Sequence, residues 1–166
     1  MQICGHVPGA IGRIVELHGR YYAREWRFGR YFEAKVANDL GELLARFDPT
    51  RDGFWIAAEG EEIAGGIAID GSGAPGPARL RFFIVDDARR GAGLGEQLMR
   101  AALDFCRSAG HRHVFLTTFA GLEAARMLYE RHGFVLTEER PDRTWGVEVT
   151  EQRFDLQLTH SRTQTC

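Results

Sequence analysis

Residues 82–95 read Phe-Phe-Ile-Val-Asp-Asp-Ala-Arg-Arg-Gly-Ala-Gly-Leu-Gly, and the rest of the chain is best understood from this stretch. Its apolar start predicts a buried strand, and helical spacing of apolar residues begins at Gly95. A glycine loop between a strand and a helix directs unpaired backbone N–H groups and the positive end of the helix dipole to one point. Since glycines allow close approach and Arg90 adds a charged fork, we predict a diphosphate-binding loop.

Two common phosphate loops do not fit this pattern. A Walker loop requires Gly-Lys-Ser/Thr, which the chain lacks. The dinucleotide fingerprint GxGxxG, counted from Gly91, requires a third glycine where the chain has Glu96. The spacing present is Arg90-x-x-Gly93-x-Gly95. A glycine-rich turn without a ligand remains the alternative interpretation.

The periodicity of apolar residues on both sides of the loop predicts the order of elements. One strand, two helices and three strands come first, and a helix, a strand, a helix and two closing strands follow. An antiparallel front half and a later strand–helix–strand crossover give a mixed α/β sheet with helices on both faces. The predicted strands are 2–7, 54–59, 62–70, 79–85, 113–118, 134–138 and 147–158, and the helices are 11–26, 32–47, 95–109 and 122–132.

The composition is that of a globular protein, with 166 residues of which 44% are hydrophobic and 27% charged. This length fits one domain, placed at 1–158, and a polar tail at 159–166 that we expect to be flexible. The formal charge of -2 gives no general attraction to nucleic acid. No apolar run approaches the roughly 18 to 20 residues that span a bilayer, and no signal peptide is evident. We therefore expect a cytoplasmic protein that binds neither nucleic acid nor membrane.

Two motifs, in the usual order and separation, resemble those of the GCN5-related N-acetyltransferase (GNAT) family. Residues 85–95 with Leu98 and Met99 resemble motif A, Gln/Arg-x-x-Gly-x-Gly/Ala at a helix start. Residues 125–134 resemble motif B, Ala-x-x-x-Tyr-x-x-x-Gly-Phe. The resemblance implies the α+β GNAT fold: a twisted, mostly antiparallel sheet of six to seven strands, with a central splayed parallel pair and about four helices.

A narrower resemblance lies outside these motifs. Several segments are similar to the acetyltransferase half of bacterial proteins that fuse a MarR-type DNA-binding domain to a GNAT domain. Because the chain has no winged-helix segment, we expect a stand-alone relative of that group. The segments are 8–15, 18–19, 21–22, 32–34, 145–149 and 151–152.

The GNAT resemblance implies acetyl-CoA as co-substrate. The pantetheine arm would follow the fourth strand, where a backbone N–H near Ile84 at a bulge polarises the thioester carbonyl. The diphosphate would lie on the glycine loop, and Tyr129 would donate a proton to the departing thiolate. The cysteines show no CxxC spacing, so we expect no metal. The implied cofactor-binding residues are Phe83, Ile84, Val85, Arg90, Gly91, Ala92, Gly93, Leu94, Gly95, Ala125 and Tyr129.

Two details of motif B leave alternatives open. Tyr129 shares a helix face with Leu122 and Leu128, so it also fits a core aromatic that packs the helix on the sheet. Family members often have Asn at the position of Leu122, whose side chain cannot hydrogen-bond the pantetheine. Thr117 or Thr118, at the end of the fifth strand, could supply that contact.

The pattern does not specify the general base, because the fourth strand has no carboxylate where many GNAT members carry a Glu. His18, whose unperturbed pKa is near neutrality, and Glu33, which fits the narrower resemblance, are the candidate catalytic bases. A chain of waters is a further alternative. The competing carboxylates, each also explained as a solvated surface charge, are Glu25, Glu148 and Glu151.

We expect an N-acetyltransferase that acts on a primary amine of a small molecule, an amine or an amino acid, by direct attack. The aromatic residues of the first two helices fit either the wall of an acceptor pocket or plain core packing. Arg79, Arg81 and Arg89 would favour an acceptor with a carboxylate. Two other classes stay open: a catalytically silent acyl-CoA sensor and a protein N-acetyltransferase. GNAT members often form homodimers, but no feature here specifies an interface.

Overall fold

The structure is a computed structural model that describes residues 1–159. The flexible tail predicted at 159–166 lies, apart from its first residue, outside the described residues. The strands of the described chain are β1 (Gln2–Cys4), β2 (Gly53–Glu59), β3 (Glu62–Asp70), β4 (Ala78–Val85), β5 (His113–Phe119), β6 (Val135–Asp142) and β7 (Val149–Gln157). They form one sheet in the order β1-β2-β3-β4-β5-β7-β6, in which β4 and β5 run parallel and the other neighbours antiparallel.

The α-helices of the described chain are α1 (Ala10–Trp26), α2 (Arg30–Ala45), α3 (Leu94–Ser108) and α4 (Glu123–Arg131). Because side chains alternate along a strand, Ile67 and Ile69 of β3 face one side of the sheet and Ala68 the other. Both isoleucines belong to the core formed with α3 and α4, whereas Ala68 belongs to the core beneath α1 and α2. The two helix pairs therefore cover opposite faces.

The parallel pair at the centre of the sheet is splayed. Ala78 and Arg79 of β4 pair with Val114 and Phe115 of β5, and the pairing stops there among the described residues. From Leu80 onward, the backbone N–H and C=O groups of β4 that point toward β5 have no strand partner. The predicted fold, a mixed sheet with a splayed parallel pair and helices on both faces, is confirmed.

A β-bulge lies in β4 just before Ile84. Gly66 of β3 pairs with Ile84 and Ala68 pairs with Arg81, so two residues of β4 stand opposite one of β3. Phe82, in the bulge, has a φ of 55°, a left-handed conformation that is uncommon for an aromatic residue. The bulge bends β4 where it leaves β5 and so shapes the mouth of the splay.

Several helices and strands begin or end at other residues than predicted. β6 continues to Asp142, because its hairpin with β7 supplies backbone partners as far as the pair of Asp142 and Val149. Most of its side chains are exposed, so the alternating burial that predicts a strand is missing there. β1 ends at Cys4, the last residue that pairs with β2. α4 begins one residue later than predicted, with Leu122 as its N-cap.

Candidate functional site

A cleft of about 640 Å³ lies at the carboxyl end of β4, beside the start of α3. Its walls come from α1, β4, the glycine loop, the turn after β5, and α4. The cleft brings together every cofactor-binding residue predicted from the sequence except Ala92. Its lining residues are Tyr21, Tyr22, Phe83, Ile84, Val85, Arg89, Arg90, Gly91, Gly93, Leu94, Gly95, Glu96, Thr118, Gly121, Leu122, Glu123, Ala124, Ala125, Leu128, Tyr129 and Arg131.

The glycine loop before α3 has the geometry of an anion-binding site. Gly91 and Gly93 have φ angles of 82° and 75°, a region that L-residues rarely adopt. Gly93 is the N-cap of α3 and offers no side chain to the N–H groups of the first turn. Those N–H groups and the helix dipole favour a negative charge at this end of the cleft.

Arg90 is held at the edge of the cleft by Asp87 and Tyr21. Its Nη2 lies 2.8 Å from Asp87 Oδ1, and its Cζ lies 5.1 Å from the centroid of the Tyr21 ring. Arg24 of α1 also pairs with Asp87, and its Cζ lies 5.8 Å from the same ring centroid. The glycine loop is therefore tied to α1, while both guanidinium groups remain about half exposed.

Tyr129 reaches the cleft from α4 and is buried among aromatic rings. The centroids of Phe83, Phe134 and Phe154 lie 6.2, 6.1 and 5.9 Å from that of Tyr129. Burial raises the pKa of the Tyr129 hydroxyl, so the group keeps its proton at neutral pH. The position therefore suits both predicted roles, a packing residue of the core and an O–H donor at the cleft.

Tyr22 of α1 also lines the cleft, next to Tyr21, and the sequence indicates it only as one of the aromatic residues of the first two helices. Its ring centroid lies 4.7 Å from that of Phe32 and 6.0 Å from that of Phe119. Burial, and then the nearby Tyr129, raise the pKa of Tyr22. The two hydroxyl-bearing side chains come from helices on opposite faces of the sheet and line the same cleft. Helical spacing alone could predict that Tyr22 faces the sheet, but not that it shares a cleft with Tyr129.

His18, one of the two candidate bases, does not line the cleft. Its Nδ1–H donates to the carbonyl oxygen of Ile14 at 2.8 Å, one turn earlier in α1. Burial lowers its pKa to about 4, so the ring is neutral at physiological pH. The ring packs near Tyr22 and Phe82, at centroid distances of 6.3 and 6.4 Å. The structure thus shows a buried, hydrogen-bonded histidine behind the wall of the cleft.

Glu33, the other candidate base, lies on the exposed side of α2 and also does not line the cleft. Its carboxylate sits against α1 at Gly19, where a Cβ would lie 2.9 Å from Glu33 Oε2. The absence of a side chain at Gly19 thus makes room for Glu33 between the two helices. The other three carboxylates form ion pairs: Glu25 with Arg24 at 2.6 Å, Glu148 with Arg143 at 2.5 Å, and Glu151 with Arg140 at 2.7 Å.

Residues 12–134 match the model of the acetyltransferase (GNAT) family. The matched span contains the glycine loop, both splayed strands and Tyr129, which together form the cleft. The chain belongs to the GNAT family. Motifs A and B, recognised first as resemblances, are therefore the family's own segments, and the GNAT fold carries them to a common cleft.

Curated relatives of this GNAT chain are similar over most of its length. N-acetyltransferase 8 of Rattus norvegicus is 34% identical over 138 residues, covering 79% of this chain and 62% of that protein. N-acetylaspartate synthetase of Danio rerio is 29% identical over 126 residues, covering 75% of this chain and 45% of that protein. The chain thus spans roughly half of the length of these relatives.

Solved GNAT structures share the fold at low sequence identity. The structure of yncA from Salmonella typhimurium, solved with its cofactor acetyl-CoA, has a TM-score of 0.76 and 19% identity. The superposition covers 99% of this chain and 98% of the yncA chain. The ribosomal-protein-alanine N-acetyltransferase of Brucella melitensis has a TM-score of 0.77 and 14% identity, over 95% of this chain and 100% of its own. At these identities the likeness establishes the fold.

The departure of this GNAT chain from motif B is visible in the cleft. Leu122 lines it as an apolar residue, where many family members have a side-chain amide. Thr118 also lines the cleft and is buried, so its hydroxyl is available on that wall. Thr117 points to the other face of the sheet, where its Oγ1 accepts from Arg79 Nη2 at 3.0 Å. Of the two threonines predicted as substitutes for the missing amide, only Thr118 lines the cleft.

The arginines of β4 do not converge on this GNAT cleft as a group. Arg81 pairs with Asp39 and Asp70 on the face covered by α2, at 3.0 and 3.3 Å. Arg79 lies on that same face, where burial, and then the neighbouring Arg81, lower its pKa. Arg89 lines the cleft but forms a bidentate pair with Glu62. Of the three arginines predicted to favour a carboxylate on the acceptor, only Arg89 therefore lies on the cleft wall, and it is already paired.

Within residues 1–159, no three His, Cys, Asp or Glu side chains come together in a way that could hold a metal ion. No helix in that part of the chain has the length and hydrophobicity to span a membrane.

Proposed function

We propose that this chain transfers the acetyl group of acetyl-CoA to a primary amine of a small molecule, an amine or an amino acid, by direct attack. The observation that carries the proposal is the single cleft that joins the glycine loop, the splayed end of β4 and Tyr129. A diphosphate site, a free strand edge and an O–H donor in one cleft are the parts that acyl transfer from CoA requires.

The residues present fit acetyl-CoA, the cofactor of the yncA structure. A Cβ built at Gly91 or Gly93 meets nothing within 4 Å, so the loop is open to a ligand on its outer side. Arg90 adds a guanidinium group, suited to paired phosphate oxygens, beside the first turn of α3. Phe83, Ile84 and Val85 line the cleft along the unpaired edge of β4, where an extended amide-bearing chain can add backbone hydrogen bonds.

Acetyl-CoA, when bound, supplies an activated thioester carbonyl. The chain's own contribution is to bind the diphosphate with the loop N–H groups and Arg90, and to present backbone N–H groups at the β4 bulge near Ile84 to a carbonyl oxygen. The Tyr129 hydroxyl stays protonated at neutral pH because burial raises its pKa, so it can donate its hydrogen to the sulfur as the C–S bond would break, and the proton lost by the amine would restore it. Because His18 and Glu33 lie outside the cleft, we assign removal of the amine proton to water.

The acceptor that we propose is an amine or an amino acid. One curated relative is named for N-acetylaspartate, an N-acetylated amino acid, which supports the amino-acid branch. We also propose that the chain is related to the acetyltransferase half of MarR fusions. We propose further that it forms a homodimer and is located in the cytoplasm.

Calorimetry and a thiol-release assay test the proposal together. We expect heat from binding of CoA and acetyl-CoA, and thiol release when primary amines are added. Arg90→Ala should weaken CoA binding, whereas Arg100→Ala, an exposed arginine of α3 outside the cleft, should not. Binding without turnover on any acceptor would indicate a sensor, and turnover on peptides alone would indicate a protein acetyltransferase. Absence of binding at millimolar CoA would reject the assignment.

A further inference from the structure

A second cavity of about 460 Å³ lies behind the cleft, between the end of α1 and the start of β7. It begins where β5 ends, so it is next to the splayed end of the parallel pair. Its lining residues are Glu25, Trp26, Arg27, Ala120, Val147, Glu148, Val149 and Thr150.

The indole of Trp26 forms the partition between this cavity and the cleft. Trp26 lines the second cavity, and Gly121, the next residue after Ala120, lines the cleft. A Cβ at Gly121 would lie 3.2 Å from Cη2 and 3.6 Å from Cζ2 of Trp26, so the benzo edge of the indole rests on the glycine backbone. Gly121 also has a φ of 106°, which disfavours any side chain there.

Neighbouring rings hold the indole in this position. The centroid of Trp26 lies 5.8 Å from that of Phe119, 6.2 Å from Phe28 and 6.4 Å from Tyr22. Phe119 belongs to β5 and Tyr22 lines the cleft. The partition is therefore an aromatic residue packed against rings of α1 and β5 and of Phe28, and not a loose surface side chain.

The second cavity suits the body of an amine. Glu25 and Glu148 lie on its walls, each in an ion pair with an arginine, and Arg27 lines it as well, so both signs of charge border the space. Ala120, Val147 and Val149 add an apolar surface for a short carbon chain. A molecule in the second cavity must pass beside the Trp26 ring to reach the carboxyl end of β4.

We propose that Trp26, closed against Gly121, is a specificity-determining residue that limits the width of the acceptor next to its amine. The inference rests on the proposed amine acetyltransferase function. A primary amine on an unbranched carbon passes the indole edge, and a branch on that carbon collides with it. Gly121 contributes by leaving the ring room to close.

The test compares acceptors that differ only in branching next to the amine. The pairs are n-propylamine with sec-butylamine, and glycine with alanine, each measured as kcat/KM by thiol release at saturating acetyl-CoA. We expect Trp26→Ala to raise the ratio of branched to unbranched acceptor about tenfold, the effect of relieving a clash of one methyl group. Trp26→Phe should lie between the wild type and Trp26→Ala.

Trp145→Ala is the matched control. Trp145 packs on the same aromatic group, 5.9 Å from Phe28 and 5.2 Å from Phe32, yet it lines neither cavity. It should lose thermal stability like Trp26→Ala while keeping the wild-type ratio. An unchanged ratio in Trp26→Ala, or an equal change in Trp145→Ala, would overturn the assignment of Trp26.

Failure of the proposed function can be distinguished from failure of the Trp26 assignment. If the wild type acetylates no amine of the panel, the proposed function fails, and the partition is then measured by calorimetry on the CoA complex. We expect sec-butylamine to bind Trp26→Ala at least about tenfold more tightly than wild type or Trp145→Ala. Equal binding by the three proteins would reject the partition as well.

Discussion

At the scale of single residues, Tyr129 has two roles that one substitution can separate. Its ring packs against Phe83, Phe134 and Phe154, and its hydroxyl borders the cleft with a pKa raised by burial. Tyr129→Phe keeps the ring and removes the proton donor. We therefore expect kcat to fall about 10²-fold, with the melting temperature and the KM for acetyl-CoA nearly unchanged.

Tyr22→Phe is the matched control for this prediction. Tyr22 is also a cleft tyrosine with a raised pKa, partly buried, but it comes from α1 and lies outside motif B. We expect its kcat to remain within a few-fold of the wild type. The opposite result, a large loss in Tyr22→Phe and none in Tyr129→Phe, would move the donor role to Tyr22.

His18 predicts a pH dependence of stability rather than of catalysis. Its folded pKa of about 4 lies below the ordinary value of 6.5, because burial disfavours the charged ring. Between these values the unfolded chain binds a proton that the folded chain does not. The neutral ring's contribution to the unfolding free energy is fully present above pH 6.5. As the pH falls to 4, this contribution decreases by about 3 kcal/mol.

Urea denaturation of His18→Gln at pH 7 and pH 4 measures this effect. The unfolding free energy of the variant should fall less over this range than that of the wild type. His6→Gln, at an exposed histidine, should follow the wild type. Parallel pH profiles for wild type and His18→Gln would contradict the neutral, buried state of the ring.

At the scale of elements, the start of α3 depends on one backbone conformation. Gly93, its N-cap, has a φ of 75°, and the left-handed region costs a residue with a Cβ about 1–2 kcal/mol. Gly93→Ala should therefore lower stability and, by turning the first N–H groups of α3, weaken acetyl-CoA binding at least about tenfold. Calorimetry and thermal unfolding measure the two effects.

Gly110→Ala is the control at the other end of the same helix. Gly110 has a φ of 81° and equally open space around it, but it lies far from the cleft along α3. It should lose similar stability and keep the wild-type affinity for acetyl-CoA. If both variants bound acetyl-CoA as the wild type does, the N-terminal amides of α3 would not be the diphosphate site.

A helix or strand can be predicted from the sequence when its buried side chains recur with a regular period along the chain. β3, buried along nearly its whole length, was predicted with its observed ends, Glu62 and Asp70. β6 was predicted too short, because an edge strand is held by its partner's backbone and its exposed side chains carry no alternation. The β4 bulge at Phe82 also left no local signal, since its conformation depends on the register with β3.

At the scale of the molecule, the cleft exists because α1 and α4, on opposite faces of the sheet, both border the splay of β4 and β5. Tyr22 comes from one face and Tyr129 from the other, and both line the same space. The contact of Arg24 with Asp87 ties α1 to the glycine loop as well. Helices on both faces therefore hold the glycine loop and the tyrosine side chains in fixed positions around one cleft.

The sequence by itself determined the cofactor end of this protein. A strand, a glycine loop and a helix are consecutive, and the anion site they form depends on local backbone conformation and the helix dipole. Only the tertiary structure decided which residues surround the rest of the cleft. It removed His18 and Glu33 from the cleft and placed Trp26 on Gly121, because contacts between residues distant in sequence follow from how helices pack across a splayed sheet.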